Sequence, residues 1–186
     1  MRDTRIPAGY EVRRATPNDI ALLQDVERTA ALLFKTYPGE AGLTEEIYRE
    51  ANSVETFENA QRAGRLWVAV TPTSEVVGFA LVMEIAGFAH LEEIDVLPSH
   101  GQQGLGSALL SAVCSWAQTA GYPAVTLRTF RDVPWNGPFY LRRGFRVVNS
   151  SDVSKHHLDL EASERKRGLR TELRVTMAYP TERMQP

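Results

Sequence analysis

Residues 94–107 combine an apolar strand, a proline and a glycine-rich turn that leads into a helix. Gly104 and Gly106 lack side chains, so a ligand can approach the backbone closely at both positions. The first amide groups of the following helix have no partner inside that helix, and the helix dipole favours an anion there. This spacing predicts a site that holds a phosphate group by main-chain N–H groups.

Two common phosphate-binding patterns do not fit this turn. The dinucleotide-binding pattern requires a third glycine, but Gly106 is followed by Ser-Ala-Leu. The P-loop requires Gly-Lys-Ser or Gly-Lys-Thr, and the turn contains no lysine. A glycine pair alone is a weak signal, so the ligand has to be inferred from a second motif.

The second motif is Pro138-Phe-Tyr-Leu-Arg-Arg-Gly-Phe145, in which Tyr140 precedes a Gly-Phe pair by four residues. Together with Val96-Leu-Pro98 and Gln103-Gly-Leu-Gly106, it resembles the GNAT superfamily of acetyl-CoA-dependent N-acetyltransferases. The resemblance covers about residues 10–148 and extends to the last predicted strand. It implies that acetyl-CoA is the acyl donor, that Tyr140 lies near the thioester sulfur, and that the main chain near Val96 binds the pantetheine arm like an added strand.

The same resemblance implies that the backbone of residues 102–107 cradles the CoA pyrophosphate. Many members carry Gln or Arg where this chain has Gly101, and many carry Asn where it has Val133. The backbone is therefore expected to contribute more to binding than side chains do. The predicted cofactor-binding residues are Val96, Gly101, Gln102, Gln103, Gly104, Leu105, Gly106, Ser107 and Asn136.

Acetyl transfer to an amine requires a base for the ammonium proton and an acid for the departing thiolate. Tyr140 is the predicted general acid because its phenol can donate a proton to sulfur. The alternative is that Tyr140 only packs beneath the turn at Gly144. The single cysteine, Cys114, lies inside the helix after the glycine turn, so direct attack in a ternary complex is expected rather than a covalent intermediate.

Three carboxylates of one predicted strand are candidates for the base. Strict alternation places Glu93 and Asp95 on one face of the sheet. It places Glu92 on the other face, with Ile94 and Val96, where burial would raise its pKa. Glu92 and Glu93 are both candidate catalytic residues, and Glu93 is preferred because it would face the acceptor cleft. Either residue could instead be a solvated or salt-bridged strand position.

The order of predicted elements is β-α-α-β-β-β-α-β-α-β-(α)-β, which is typical of an α/β fold with a mixed sheet flanked by helices. We expect a single domain over residues 1–186, with a core at about 10–148 and an extra helix and final strand in 149–186. A helix cap is predicted at Ser151.

Composition excludes several classes of function. The chain of 186 residues has a formal net charge of −2, so no basic field favours nucleic acid. The single cysteine and the charged N-terminus favour the cytoplasm over secretion, and no membrane span is predicted. His156 and His157 are adjacent, so a helix directs them apart, and no metal site is predicted.

Residues 34–64 should supply the rim of the acceptor site. Their carboxylates favour a cationic small-molecule amine as acceptor, although they are equally typical of the polar face of a helix. A protein or peptide amine remains an alternative, as does a non-catalytic acyl-CoA-binding module. Arg128 and Arg131 could bind an acidic group of the acceptor or pair with the Glu/Asp-rich strand opposite. Trp135 could line the site, and the family resemblance makes a homodimer plausible. The rim carboxylates are Glu40, Glu45, Glu46 and Glu50.

Overall fold

The computed structural model describes residues 6–37, 43–149 and 155–181. Glu40 and the helix cap predicted at Ser151 lie outside these residues. The strands are β1 (Glu11–Arg14), β2 (Leu66–Val70), β3 (Val76–Ile85), β4 (Phe88–Val96), β5 (Ala124–Phe130), β6 (Arg146–Val147) and β7 (Arg174–Pro180). The helices are α1 (Ile20–Ala31), α2 (Glu45–Arg49), α3 (Val54–Arg62), α4 (Leu105–Thr119), α5 (Gly137–Leu141) and α6 (Lys155–Lys166).

The strands form one seven-stranded sheet in the order β1-β2-β3-β4-β5-β7-β6. Neighbouring strands are antiparallel except β4 and β5, which are parallel. The final strand, β7, is inserted between β5 and β6. The mixed sheet predicted from the order of elements is therefore confirmed.

The sheet opens in its middle, between β4 and β5. These strands pair at Ala89 with Val125 and at His90 with Thr126, and the recorded pairing of the described residues goes no further. The remainder of β4, up to Val96, therefore presents its backbone edge toward the gap between the two strands. A sheet edge with free N–H and C=O groups can accept an extended ligand as an additional strand.

Helices cover both faces of the sheet. On one face, α4 packs on apolar residues of the central strands, with Leu109 and Leu110 fully buried. On the other face, α1 and α3 contribute Leu23 and Phe57 to a second cluster around Phe79. Cys114 is buried in the α4 cluster, and burial raises its thiol pKa to about 12, so it is an unreactive core residue.

The C-terminal helix α6 is attached to the sheet by charged contacts. Arg128 of β5 donates to Glu164 at 2.8 Å, and Arg174 of β7 lies 3.0 Å from the other oxygen of the same carboxylate. Gly168, with φ of +86°, follows the helix as expected for a left-handed stop. Arg128 thus pairs with acids of α6, whereas the expectation from sequence placed its acidic partners on the carboxylate-rich strand, because the position of α6 against β5 is not contained in the local sequence.

Candidate active site

The glycine turn between β4 and α4 has the backbone conformation that its sequence predicts. Pro98–His100 form a short 3-10 turn, and Gly104 precedes α4 with φ of +87°. That conformation costs a residue with a side chain about 1–2 kcal/mol. Gln102 also has a positive φ, of 59°. The first main-chain bond into α4 runs from Ala108 N–H to the Gly104 carbonyl, so the amides before it are the unpartnered ones of a helix start.

Gly106 lies where α4, α5 and β4 meet. A Cβ atom added there would be 3.7 Å from the Phe139 ring and 3.9 Å from Val96. The Ser107 hydroxyl beside it accepts a hydrogen bond from Nε of Arg143 at 2.9 Å, and a second one from Nη2. The Ser107 side chain therefore ties α4 to α5, and its amide is the group left to face a ligand.

Sequence reasoning missed Arg143, which immediately precedes Gly144. Its guanidinium lies 3.6 Å from the centre of the Phe139 ring, and it also donates to the Phe139 carbonyl at 2.9 Å. An arginine beside a glycine at a helix end is a signal for capping, but its partner Ser107 lies 36 residues away. Arg143 fixes the orientation of α5 relative to the glycine turn.

Helix α5 begins at a close approach between two chain segments. A side chain at Gly137 would clash with the Arg131 carbonyl oxygen, so only glycine fits. The carbonyl of Asn136 accepts from the Tyr140 amide at 3.1 Å. The side-chain oxygen of Asn136 is buried, and no described residue donates to it. A buried acceptor without a donor is costly unless a ligand or water supplies one.

Tyr140 lies on α5 and is 95% buried, with 5% of its surface exposed. Its ring packs against Phe139 and Phe145, with ring centres 5.1 and 5.5 Å away. Burial raises the pKa of the phenol well above its ordinary value, and the nearby carboxylates of Glu93 and Asp95 raise it further. Tyr140 therefore stays protonated at physiological pH and can act as a proton donor.

Strand β4 carries a bulge that changes the predicted arrangement of its carboxylates. Leu81 pairs with Glu93, whereas the next residue, Val82, pairs with Leu91, so Glu92 has no partner on β3. Strict alternation, which separated Glu92 from Glu93, is therefore wrong here, because a bulge inserts one residue and shifts the side-chain pattern. Glu92 and Glu93 line the same cavity.

That cavity has a volume of about 260 Å³ and a strongly acidic lining. Glu27 of α1 faces it, and both of its carboxylate oxygens accept hydrogen bonds from Asn52, at 2.9 Å from the side chain and 3.0 Å from the backbone. Burial nevertheless raises the pKa of Glu27 to about 6. The cavity is lined by Glu27, Glu50, Ala51, Asn52, Glu92, Glu93 and Arg167.

The surroundings of Glu93 make its carboxylate a stronger base than that of an ordinary glutamate. Burial raises its pKa, and the carboxylates of Glu27 and Glu92 add to that effect. Asp95 is raised in the same way, by burial and then by Glu93. Neighbouring carboxylates repel each other when both are ionised, so each one binds a proton more tightly than an isolated carboxylate does. Strong proton binding is the property required of a general base.

The histidines near the site have structural contacts. His90 is buried, its Nδ1 lies 3.0 Å from the Thr126 hydroxyl, and its Nε2 lies 3.9 Å from Glu92. Burial lowers the pKa of His90 to about 4, so the ring is neutral and this contact is not an ion pair. His100 in the glycine turn contacts the Tyr10 hydroxyl at 2.8 Å, which attaches the turn to the N-terminal segment.

Trp135 packs in an aromatic cluster at the rim of α5. Its ring contacts Phe34 and Tyr37 edge to face, with ring centres 5.7 and 5.9 Å away. Within the described ranges, no three His, Cys, Asp or Glu side chains are grouped so that they could hold a metal ion. Nor is any described helix long and apolar enough to cross a membrane.

Comparison with known protein families agrees with this geometry. Residues 27–145 match the model of the acetyltransferase (GNAT) family, which is more than half of the chain. The chain belongs to the GNAT family. It is therefore an acetyltransferase, and the matched region runs from the cavity residue Glu27 to Phe145 of the tyrosine motif.

Solved structures share the fold at low sequence identity. The PaiA N-acetyltransferase of Thermoplasma acidophilum, in complex with coenzyme A, is 19% identical with a TM-score of 0.68, over 92% of this chain and 98% of that one. N-acetylglutamate synthase of Neisseria gonorrhoeae, with coenzyme A and N-acetyl-glutamate, is 17% identical with a TM-score of 0.68, over 95% of this chain and 36% of that one. The ribosomal-protein-S18-alanine N-acetyltransferase of Escherichia coli is 17% identical with a TM-score of 0.61, over 95% and 96%.

Proposed function

We propose that the protein transfers the acetyl group of acetyl-CoA to a primary amine of a small cationic molecule, by direct attack in a ternary complex. One observation carries the proposal. Glu93 lines the cavity on the strand whose edge is open toward β5, and the buried phenol of Tyr140 lies near enough for the Glu93 carboxylate to raise its pKa. A base for the amine and an acid for the leaving group are what the reaction requires.

The residues around the opening of the sheet fit acetyl-CoA. The edge of β4 that is not paired with β5 offers main-chain groups near Val96 to the pantetheine arm. The turn at Gly104 and the first amides of α4 suit the pyrophosphate, and the buried oxygen of Asn136 is available to a ligand N–H group. Bound there, acetyl-CoA supplies a thioester, whose carbonyl carbon is the electrophile and whose sulfur leaves.

In this scheme one side chain accepts a proton and another donates one. Glu93 accepts the proton of the ammonium group, because only a neutral amine can attack. Tyr140 donates its phenol proton to the departing sulfur and prevents accumulation of a free thiolate. Glu92 lies beside Glu93 in the cavity and contributes negative charge that favours binding of the cationic acceptor.

The lining and volume of the cavity support the choice of a small cationic acceptor. Its volume of about 260 Å³ is small for a ligand site, for which ~300–1,000 Å³ is usual. Four carboxylates and one guanidinium line it, so a cation is favoured over an anion. One of the similar structures is named for an acetylated amino acid, and another is named for a ribosomal protein. The alternative to a small-molecule acceptor is therefore an amine of a protein.

Acetylation of a panel of amines tests the proposal, with release of the free CoA thiol and the mass of the product as readouts. We expect small aliphatic amines to be acetylated faster than lysine-containing peptides. Faster acetylation of the peptides would assign the enzyme to protein substrates. Release of thiol without an acetylated amine would reject the proposed transfer.

Substitution of Tyr140 tests the role of the acid. Tyr140→Phe should lower kcat by about 10²-fold, since general acid catalysis contributes roughly that factor or more, while the acetyl-CoA Kd stays nearly unchanged. Tyr122→Phe is the matched control, because its hydroxyl donates to Glu84 on an exposed surface. An unchanged kcat in Tyr140→Phe would remove this residue from the chemistry.

A further inference from the structure

An ion pair lies across the acceptor cavity and joins two distant parts of the chain. Arg167 follows α6, and its Nε and Nη2 atoms lie 3.2 and 3.0 Å from the same oxygen of Glu50. Glu50 follows α2, which is 117 residues earlier, and both side chains line the cavity that contains Glu93. A cationic group of the protein thus occupies part of the acceptor cavity.

We propose that the acceptor carries a second cationic nitrogen, which replaces the Arg167 guanidinium at Glu50 while the first amine reacts at Glu93. This inference rests on the proposed function and names the class of acceptor, a small diamine or polyamine. Arg167 then acts as an internal competitor for the subsite of the second ammonium group.

The contact between Arg167 and Glu50 has the properties of a pair that a ligand can displace. Their side chains are 51% and 42% exposed, and ion pairs between exposed side chains contribute little stability. Only one oxygen of Glu50 is engaged, so the geometry is not the bidentate one that strengthens arginine–carboxylate pairs. Separation of Arg167 from Glu50 therefore costs little, and a ligand ammonium group that binds Glu50 does not have to overcome a strong internal contact.

The other residues that line the cavity determine which charge the second functional group of the acceptor can carry. A carboxylate of the acceptor that approached Arg167 would also meet Glu27 and Glu92. Its charge would disfavour the ionised form of Glu93 that must accept the amine proton. Like charges in a partly buried site repel, so the cavity disfavours an amino acid acceptor. The second group of the acceptor is therefore a cation and not an anion.

Kinetics with matched acceptors test the inference. The probes are 1,4-diaminobutane, 1-aminobutane and 4-aminobutanoate, which share one reacting amine and differ in the group at the other end. For the unmodified enzyme we expect kcat/KM to be largest with the diamine. Higher kcat/KM with 4-aminobutanoate would assign Arg167 to an anionic group and overturn the inference.

Two substitutions locate the subsite. Glu50→Gln should raise KM for the diamine about fivefold, the size expected for one exposed ion pair, and should raise KM for 1-aminobutane by a smaller factor, since that amine has no second ammonium group to bind Glu50. Arg167→Gln should lower KM for the diamine, because the competitor is gone. Arg165→Gln is the control, since that arginine pairs with Glu161 on the exposed side of α6.

The double variant Glu50→Gln/Arg167→Gln tests whether Arg167 and the ligand ammonium group compete for Glu50. If Arg167 competes for Glu50, Arg167→Gln improves the KM for the diamine only while Glu50 is present. An equal improvement in the Glu50→Gln background would contradict this mechanism. Acetylation of 1-aminobutane without any advantage for the diamine would reject the inference and leave the proposed function standing, whereas failure with all amines would reject the proposed function itself.

Discussion

The two halves of the site are built in different ways. The glycine turn and the start of α4 form one continuous segment of about a dozen residues, and they offer main-chain amides to a ligand. The acceptor cavity takes its side chains from α1, β4, the residues after α2 and the residue after α6. Main-chain binding depends on local conformation, whereas the cavity depends on the tertiary fold. The first half is therefore suited to one constant ligand, and the second can change its acceptor by single substitutions.

If the glycine turn and the acceptor cavity work separately, the cavity residue Glu93 affects the chemical step and not the binding of acetyl-CoA. Glu93→Gln should lower kcat/KM for the amine by about 10²–10³-fold, because the base is lost, with an acetyl-CoA Kd within about twofold of normal. Steady-state kinetics and calorimetric titration measure the two quantities. Glu84→Gln on the exposed end of β3 serves as a control. A large loss of acetyl-CoA affinity in Glu93→Gln would mean that the two halves are not separate.

Gly104 should show the opposite pattern. Gly104→Ala places a side chain at φ of +87°, which costs about 1–2 kcal/mol of folding free energy and displaces the first amides of α4. We expect the acetyl-CoA Kd to rise about tenfold, which corresponds to about 1.4 kcal/mol of binding free energy, with a nearly unchanged KM for the amine. Gly121→Ala, also at positive φ but at the far end of α4, controls for the loss of stability. Equal effects of both alanines on binding would argue against a main-chain site.

Removal of the Ser107 hydroxyl should have the smallest effect on binding. That hydroxyl is bound by Arg143, so Ser107→Ala removes one acceptor of a half-buried arginine that keeps its bond to the Phe139 carbonyl, and it lowers stability by about 1 kcal/mol. The acetyl-CoA Kd should change less than threefold, because the amide of residue 107 is retained. Thermal unfolding and the same titration measure the two effects. A tenfold loss of affinity at unchanged stability would show that the hydroxyl itself binds the cofactor.

Sequence reasoning predicted the local backbone structure of the two motifs well. Gly104 precedes a helix and Tyr140 precedes a turn at Gly144, and each pattern is contained within a few residues that fold with little outside help. The assignment of cofactor-binding and catalytic roles to individual residues stays a prediction, as do the single domain, the homodimer and the cytoplasmic location.

The cavity could not be predicted because its contacts are long-range. The bulge at Glu92 depends on how β3 and β4 pair, and alternation within one strand contains no information about it. Glu27 and Asn52 are 25 residues apart, and Arg167 reaches Glu50 across 117 residues. Such pairs leave no signal in a single sequence.

The role of Glu93 as general base is tested by the dependence of the rate on pH, compared between the unmodified enzyme and Glu93→Gln. A base must be deprotonated to act, so a carboxyl whose pKa is raised by burial and by neighbouring carboxylates gives a rate that increases as pH rises above the range of an ordinary glutamate. Single-turnover acetylation of 1-aminobutane, at saturating acetyl-CoA between pH 6 and about pH 9.5, measures that limb. We predict that the rate of the unmodified enzyme rises with pH and then levels off once Glu93 is deprotonated. The lower rate of Glu93→Gln should keep rising with the fraction of neutral amine, because aliphatic ammonium groups titrate only at about pH 10. The same pH profile at a similar rate in both proteins would remove Glu93 as the base.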